Sequence, residues 1–119
     1  MNFNENQSIY IQIMDLAEEL ILLGKWLPGE KIPSVRELAA SLQVNPNTVM
    51  RAYEQLQALE VLVNRRGIGH HVAAGALEKI LSARREQFLR DEVPQFLKKL
   101  RLLQVDWTQL QDIYNQTMK

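Results

Sequence analysis

A mainly helical fold with one small β-hairpin is what the sequence predicts, and three observations carry that expectation. Apolar residues recur at helical spacing through most of the chain. Two pairs three residues apart, Ser34 with Glu37 and Asp106 with Gln109, have the spacing of a capping box that opens a helix. One stretch, "VLVNRRGIGHHVA", breaks the helical period with strand-like valines around two glycines.

Taken in order, Ser8 can cap a first helix running to about Leu23, with Ile9, Ile13, Leu16, Ala17, Leu20 and Leu23 on one apolar face. Gly24 and "LPGEK" end it with turn chemistry. A short second helix follows Ser34, with Val35, Leu38, Ala39 and Leu42 facing inward. The third, over residues 45–59, has Asn45 as its cap and Pro46 at its first position, where a missing N–H is harmless. Its buried face is Val49, Ala52, Tyr53, Leu56 and Leu59. At about 100° per residue, Asn47 and Arg51 fall roughly opposite, with Thr48 near the boundary.

The hairpin, over 61–73, uses Val61, Val63 and Val72 in strands and reverses between Gly67 and Gly69, with Arg65 and Arg66 before the tip. Alone it would be marginal, so it must lean on the helices. Beyond Gly75 the pattern is helical again. Leu77, Ile80, Leu81 and Phe88 share a stripe that rotates to Phe96, Leu100 and Leu103 after Pro94, as at a kink. Trp107, Leu110, Ile113 and Tyr114 mark a last helix.

Composition removes several functions. Cysteine is absent, so disulfides, thiolate nucleophiles and cysteine-held metals are out. No secretory leader stands at the start, and no apolar run approaches the roughly 20 residues that cross a bilayer. These features suggest a cytoplasmic protein. His70 and His71 are neighbours in a strand and point to opposite faces, a poor arrangement for a shared metal. Gly67 and Gly69 make only a bare G-x-G, too little for a nucleotide cradle. No acid–base pair or serine triad stands out, and no cofactor is implied; the expectation is that this is not an enzyme.

The order helix, short helix, turn, helix, hairpin is that of a winged helix-turn-helix, whose third helix lies in the major groove of double-stranded DNA. Asn and Arg read base edges there with paired hydrogen bonds. Asparagine–proline is also ordinary capping, so the helix alone is ambiguous; the capped helix before it and the basic, glycine-turned hairpin after it tip the balance. Net charge is zero, with 14 basic and 14 acidic residues, which argues against a nucleic-acid partner. Between Lys31 and Val72 the balance is mildly basic: Lys31, Arg36, Arg51, Arg65 and Arg66 against Glu37, Glu54 and Glu60. A winged helix that docks protein instead of DNA is therefore the rival reading.

"PGEKIPSVRELAASLQVNPNTVMRAYEQL" followed by "RRGIGHHV" resembles the DNA-binding domain of the GntR family of bacterial transcription regulators, and the short helical tail resembles its YtrA-like subfamily. The resemblance implies DNA contacts from Ser34, Arg36, Asn45, Pro46, Asn47, Thr48 and Arg51, and from Arg65, Arg66, Gly67 and Gly69 in the minor groove. Many members carry arginine where this chain has Pro46 and Met50, so those contacts do not transfer. Others have glycine where Glu60 stands, and an aromatic residue near His71.

The expected organisation is a DNA-binding domain over 1–74 and a helical dimerisation segment over 75–119, the latter too short to enclose a ligand cavity of its own. Leu77, Ile80, Leu81, Phe88, Phe96, Leu100, Trp107 and Leu110 form its apolar face, which self-association would bury. The predicted protein is thus a homodimeric repressor binding an inverted-repeat operator, with a small-molecule effector left open. Kinship suggests an operon for membrane transport.

Overall fold

The computed structural model describes residues 3–118, in two compact units, Met1–Ser82 and Ala83–Lys119. The elements are α1 (Ile9–Leu22), α2 (Val35–Leu42), α3 (Pro46–Ala58), β1 (Leu62–Arg65), β2 (Gly69–Val72), α4 (Ala76–Gln87), a π-helical turn (Phe88–Glu92), α5 (Val93–Leu102) and α6 (Trp107–Thr117). The expected mainly helical architecture with one antiparallel hairpin is what forms. No helix among the described residues is long and apolar enough to cross a membrane.

In the first unit α3 packs against both α1 and α2. The core is Ile13, Ala17 and Ile21 from α1, Leu38 and Ala39 from α2, and Val49, Ala52, Tyr53 and Leu56 from α3, closed by Ile32, Val61, Leu62, Val72, Ala76 and Ile80. Truncating a fully buried side chain such as Leu56 to alanine would cost about 2–5 kcal/mol. Tyr53 is wholly buried, yet its hydroxyl donates to the Pro33 carbonyl at 2.7 Å, tying α3 to the strand-like approach to α2.

Several expected core positions lie elsewhere. Leu23 and Leu59 are the C-caps of α1 and α3 and are exposed, because the helical period stops before reaching them. Ile9, the first helical residue, is also exposed. Val63 lies in β1 as expected but is exposed; the buried residue of that strand is Leu62, which pairs with the buried Val72. Gln12 was not anticipated in the interior. Its amide donates to the carbonyls of Asn4 (2.6 Å) and Gln7 (2.8 Å) and accepts from the Asn4 N–H (2.7 Å), which strap the N-terminal segment to α1.

The hairpin does not rest on helices alone. The chain before α2 runs along the free edge of β2: the Ile32 N–H donates to His70 O and the Val72 N–H to Glu30 O, both at 3.0 Å. This second partner for β2 gives the small sheet support that two strands lack. Pro33, with no N–H, follows directly.

Four helices end by one device. After α1, α2, α3 and α5 comes a residue with positive φ: Gly24 (75°), Gln43 (57°), Glu60 (63°) and Gln104 (54°). In each case its N–H bonds the carbonyl three residues back and the next N–H bonds the one five back, for example Glu60 to Gln57 and Val61 to Leu56. This is the Schellman arrangement, which satisfies orphan carbonyls at a helix end. The three non-glycine cases are each followed by a valine: Val44, Val61 and Val105.

The first unit extends past the expected boundary at residue 74. Ala76 and Ile80, on the first turns of α4, are fully buried in its core, and Leu77 packs against it. Of the expected dimerisation stripe, Ile80 therefore fills the winged domain and Leu77 is partly buried against it. In the second unit no described residue is buried. The π turn ends at Glu92, two residues before Pro94. Its wider turn relieves the clash a proline ring makes with the carbonyl four residues back, here Arg90, and inserts the extra residue that rotates the apolar stripe. The Asp106 N–H donates to Gln109 Oε1 at 2.9 Å, the expected start of α6.

Candidate nucleic-acid interface

The candidate residues sit on three elements that pack together: α2, α3 and the wing hairpin. At the start of α2 the capping box is complete. Ser34 Oγ accepts from the Glu37 N–H at 3.1 Å, and Glu37 Oε1 accepts from the Ser34 N–H at 2.9 Å. Those bonds to Ser34, helped by Lys31, hold the Glu37 carboxyl below its ordinary range. Ser34 is thus engaged in folding, and Arg36 is an exposed cation on the first turn of α2.

At α3 the Asn45 Oδ1 accepts from the Asn47 N–H at 2.8 Å. Asn45 is therefore the helix cap, with its amide donors still available. Pro46 and Asn47 are exposed, Thr48 is half-buried, and Arg51 is exposed one turn further on. Val49, Ala52 and Tyr53 turn the opposite side of the helix into the core, so packing fixes which way the polar face points. The first-turn N–H groups are taken, Asn47 by Asn45 Oδ1 and Thr48 by Asn45 O at 3.0 Å, so it is the positive end of the helix dipole that favours a phosphate oxygen near this turn.

The wing reverses over Arg65 to Gly69. The Ile68 N–H donates to Arg65 O at 2.9 Å, Arg65 pairs with Gly69, and the turn takes positive φ at Gly67 (78°) and Gly69 (114°). Arg65, Arg66 and Ile68 are exposed at this tip. The Lys31 side chain lies over Gly69, its Cε 3.2 Å from where a Cβ would stand.

The two histidines divide as their strand positions predict. His70 meets the Tyr53 ring edge-on, with centroids 4.9 Å apart. Burial, then the neighbouring His71, pushes its imidazole below the usual value. His71 is buried, with Nδ1 3.0 Å from Gly69 O.

Two residues beside the expected set were not foreseen. Tyr10 of α1 lies under the Arg51 guanidinium, 3.8 Å from Cζ to ring centroid. Lys31 adds a cation at the root of the wing. Its alternation with Ile32, in "GEKIP", was the available signal for a strand there.

Comparisons with known proteins agree with this geometry. The profile described as "Bacterial regulatory proteins, gntR family" matches residues 9–72. The chain is 35% identical over 101 residues to the HTH-type transcriptional regulator YhcF of Bacillus subtilis, covering 85% of this chain and 82% of that one. It is 44% identical over 68 residues to the transcriptional repressor YtrA of the same organism, covering 57% of this chain and 52% of YtrA. A GntR-family regulator from Bacteroides thetaiotaomicron superposes with TM-score 0.73 at 45% identity, covering 93% of this chain and 96% of that structure. The DNA-binding domain of AraR, solved in complex with operator ORR3, superposes with TM-score 0.56 at 29% identity, over 61% of this chain and 88% of that one.

Proposed function

Because the chain belongs to the gntR family of bacterial regulatory proteins and is a DNA-binding transcription regulator, we propose that it works as a dimeric repressor of an inverted-repeat operator. The observation that carries this reading is the exposed polar first turn of α3, turned outward by its own core contacts and flanked by a glycine-turned basic wing. Asn47, Thr48 and Arg51 read base edges in the major groove, the commonest use of such a helix. Arg36 holds a phosphate, helped by the positive end of the α3 dipole. Arg65, Arg66 and the Gly67–Gly69 turn enter the adjacent minor groove, where guanidinium groups favour the enhanced negative potential.

The second unit supplies the symmetry. Phe96, Trp107, Ile113 and Tyr114 are exposed apolar or aromatic surface in a segment that buries nothing itself. A second copy covering it would set two recognition helices about one DNA turn apart, ~34 Å. Repression is favoured by kinship with a relative named as a repressor.

Selection of bound duplexes from a random pool, followed by salt titration on the winner, tests the proposal. Recovery of an inverted repeat is expected, with affinity falling steeply as salt rises, log Kd changing by about 0.9 per phosphate neutralised for each unit of log salt. No recovered sequence and a flat salt response would point to the protein-docking winged helix that the zero net charge favours.

A further inference from the structure

The first turn of α1 reads "IYIQ", and Tyr10 within it has no role in the DNA contacts set out above. It is half-buried on the core of the first unit. Its ring forms a platform for Arg51, whose Cζ lies over it, 3.8 Å from the centroid. We propose that Tyr10 is a positioning residue for DNA recognition: it holds the Arg51 guanidinium by its face so that the in-plane donors stay free for the duplex. The inference rests on the reading that Arg51 touches DNA.

Two properties of the contact support this. The N–H donors of a guanidinium lie in its plane, so a ring beneath the face leaves all of them available, whereas a carboxylate would occupy two. An exposed arginine also loses rotamer freedom when it binds, and a side chain already resting on a ring has lost much of it beforehand. Tyr10 comes from a different helix than Arg51, so the platform is set by the packing of α1 on α3. Lysine at position 51 could not reproduce the arrangement, because its point charge has no planar fork to orient.

A double-mutant cycle on the inverted-repeat duplex recovered by selection with the unmodified chain is the test, with the melting midpoint recorded for every variant. Tyr10→Leu should weaken binding about three- to fivefold, and Tyr10→Phe, which keeps the ring, should stay within about twofold of the unmodified chain. In an Arg51→Ala background, Tyr10→Leu should add no further loss. If Tyr10→Leu lowers the melting midpoint, Tyr10→Met, which keeps more of the packed length, replaces it in the same cycle. Losses that multiply in the double variant, or unchanged binding by Tyr10→Leu, would overturn the positioning role while leaving Arg51 as a DNA contact. Unchanged binding by Arg51→Ala would overturn the parent reading and the platform with it.

Discussion

Gln43 sits in the left-handed region with φ of 57°, between the two helices of the helix-turn-helix. A side chain there costs roughly 1 kcal/mol that glycine avoids. The Schellman bonds of Gln43 and Val44 to Ala40 and Ala39 offset that strain, and Val44 packs on the core. Gln43→Gly is therefore expected to raise stability by about 0.5–1 kcal/mol, read as a higher denaturant midpoint with an unchanged slope. A lower midpoint would mean that the glutamine side chain contributes more than its backbone strain removes. Glu60 follows the same logic at the end of α3. It takes the left-handed conformation that glycine favours, with φ of 63°, and its carboxylate forms an exposed pair with Lys79 at 2.8 Å. These helix ends were written in the sequence as "LQV", "LEV" and "LQV", but glycine is the usual sign of a left-handed cap, and no glycine stands there.

The wing and the strand-like segment beside it form the element on which the site depends most. Gly69, at φ of 114°, lies in a region nearly closed to other residues, with Lys31 across it. Gly69→Ala should cost about 1–3 kcal/mol, set by the backbone, since the flexible Lys31 can move aside. Gly67→Ala meets nothing within 4 Å, and its strain at φ of 78° should cost less. Equal midpoints for the two variants in thermal melts would contradict that ranking. His70 links the wing to Tyr53, and burial, then His71, lowers its pKa. The unfolded chain takes up this proton near the ordinary value of 6.5, the folded chain only at lower pH. Stability from this group is complete above about pH 6.5 and falls as pH drops towards the depressed value. Glu37 and Glu60, both held below 4.5, act only in more acid solution. The melting midpoint should decline between pH 7.5 and 5.5 by an amount that shrinks in His70→Gln; identical profiles would remove His70 as the cause. The hairpin, its glycine reversal and both capping pairs were legible because each rests on local chemistry. The bridge of Lys31 to the wing, the placement of Tyr10 under Arg51 and the burial of Gln12 were not, because each joins segments distant in sequence or satisfies a polar group through backbone that no periodicity describes.

Across the whole chain, the first unit holds every buried residue described and the second presents apolar side chains outward. Helical spacing alone could not separate the two roles within α4: Ile80 and Leu81 are neighbours in sequence, one filling the core and the other exposed. The proposed dimer predicts a sedimentation mass near twice 13.8 kDa at micromolar concentration, reduced to the monomer by Trp107→Glu with the winged domain still folded. A monomer before any substitution would remove the dimer and leave the DNA-reading face to be tested alone. That face is the central claim: Asn47, Thr48 and Arg51 form a reading head held outward by the core side of α3. The most direct measurement is the affinity of the unmodified chain and of Arg51→Ala for the selected duplex and for a scrambled one. The account predicts a loss of roughly 1–3 kcal/mol on the selected duplex, a much smaller loss on the scrambled one, and relaxed preference at one base pair of each half-site. Equal losses on both duplexes would show that Arg51 holds a phosphate and reads no base.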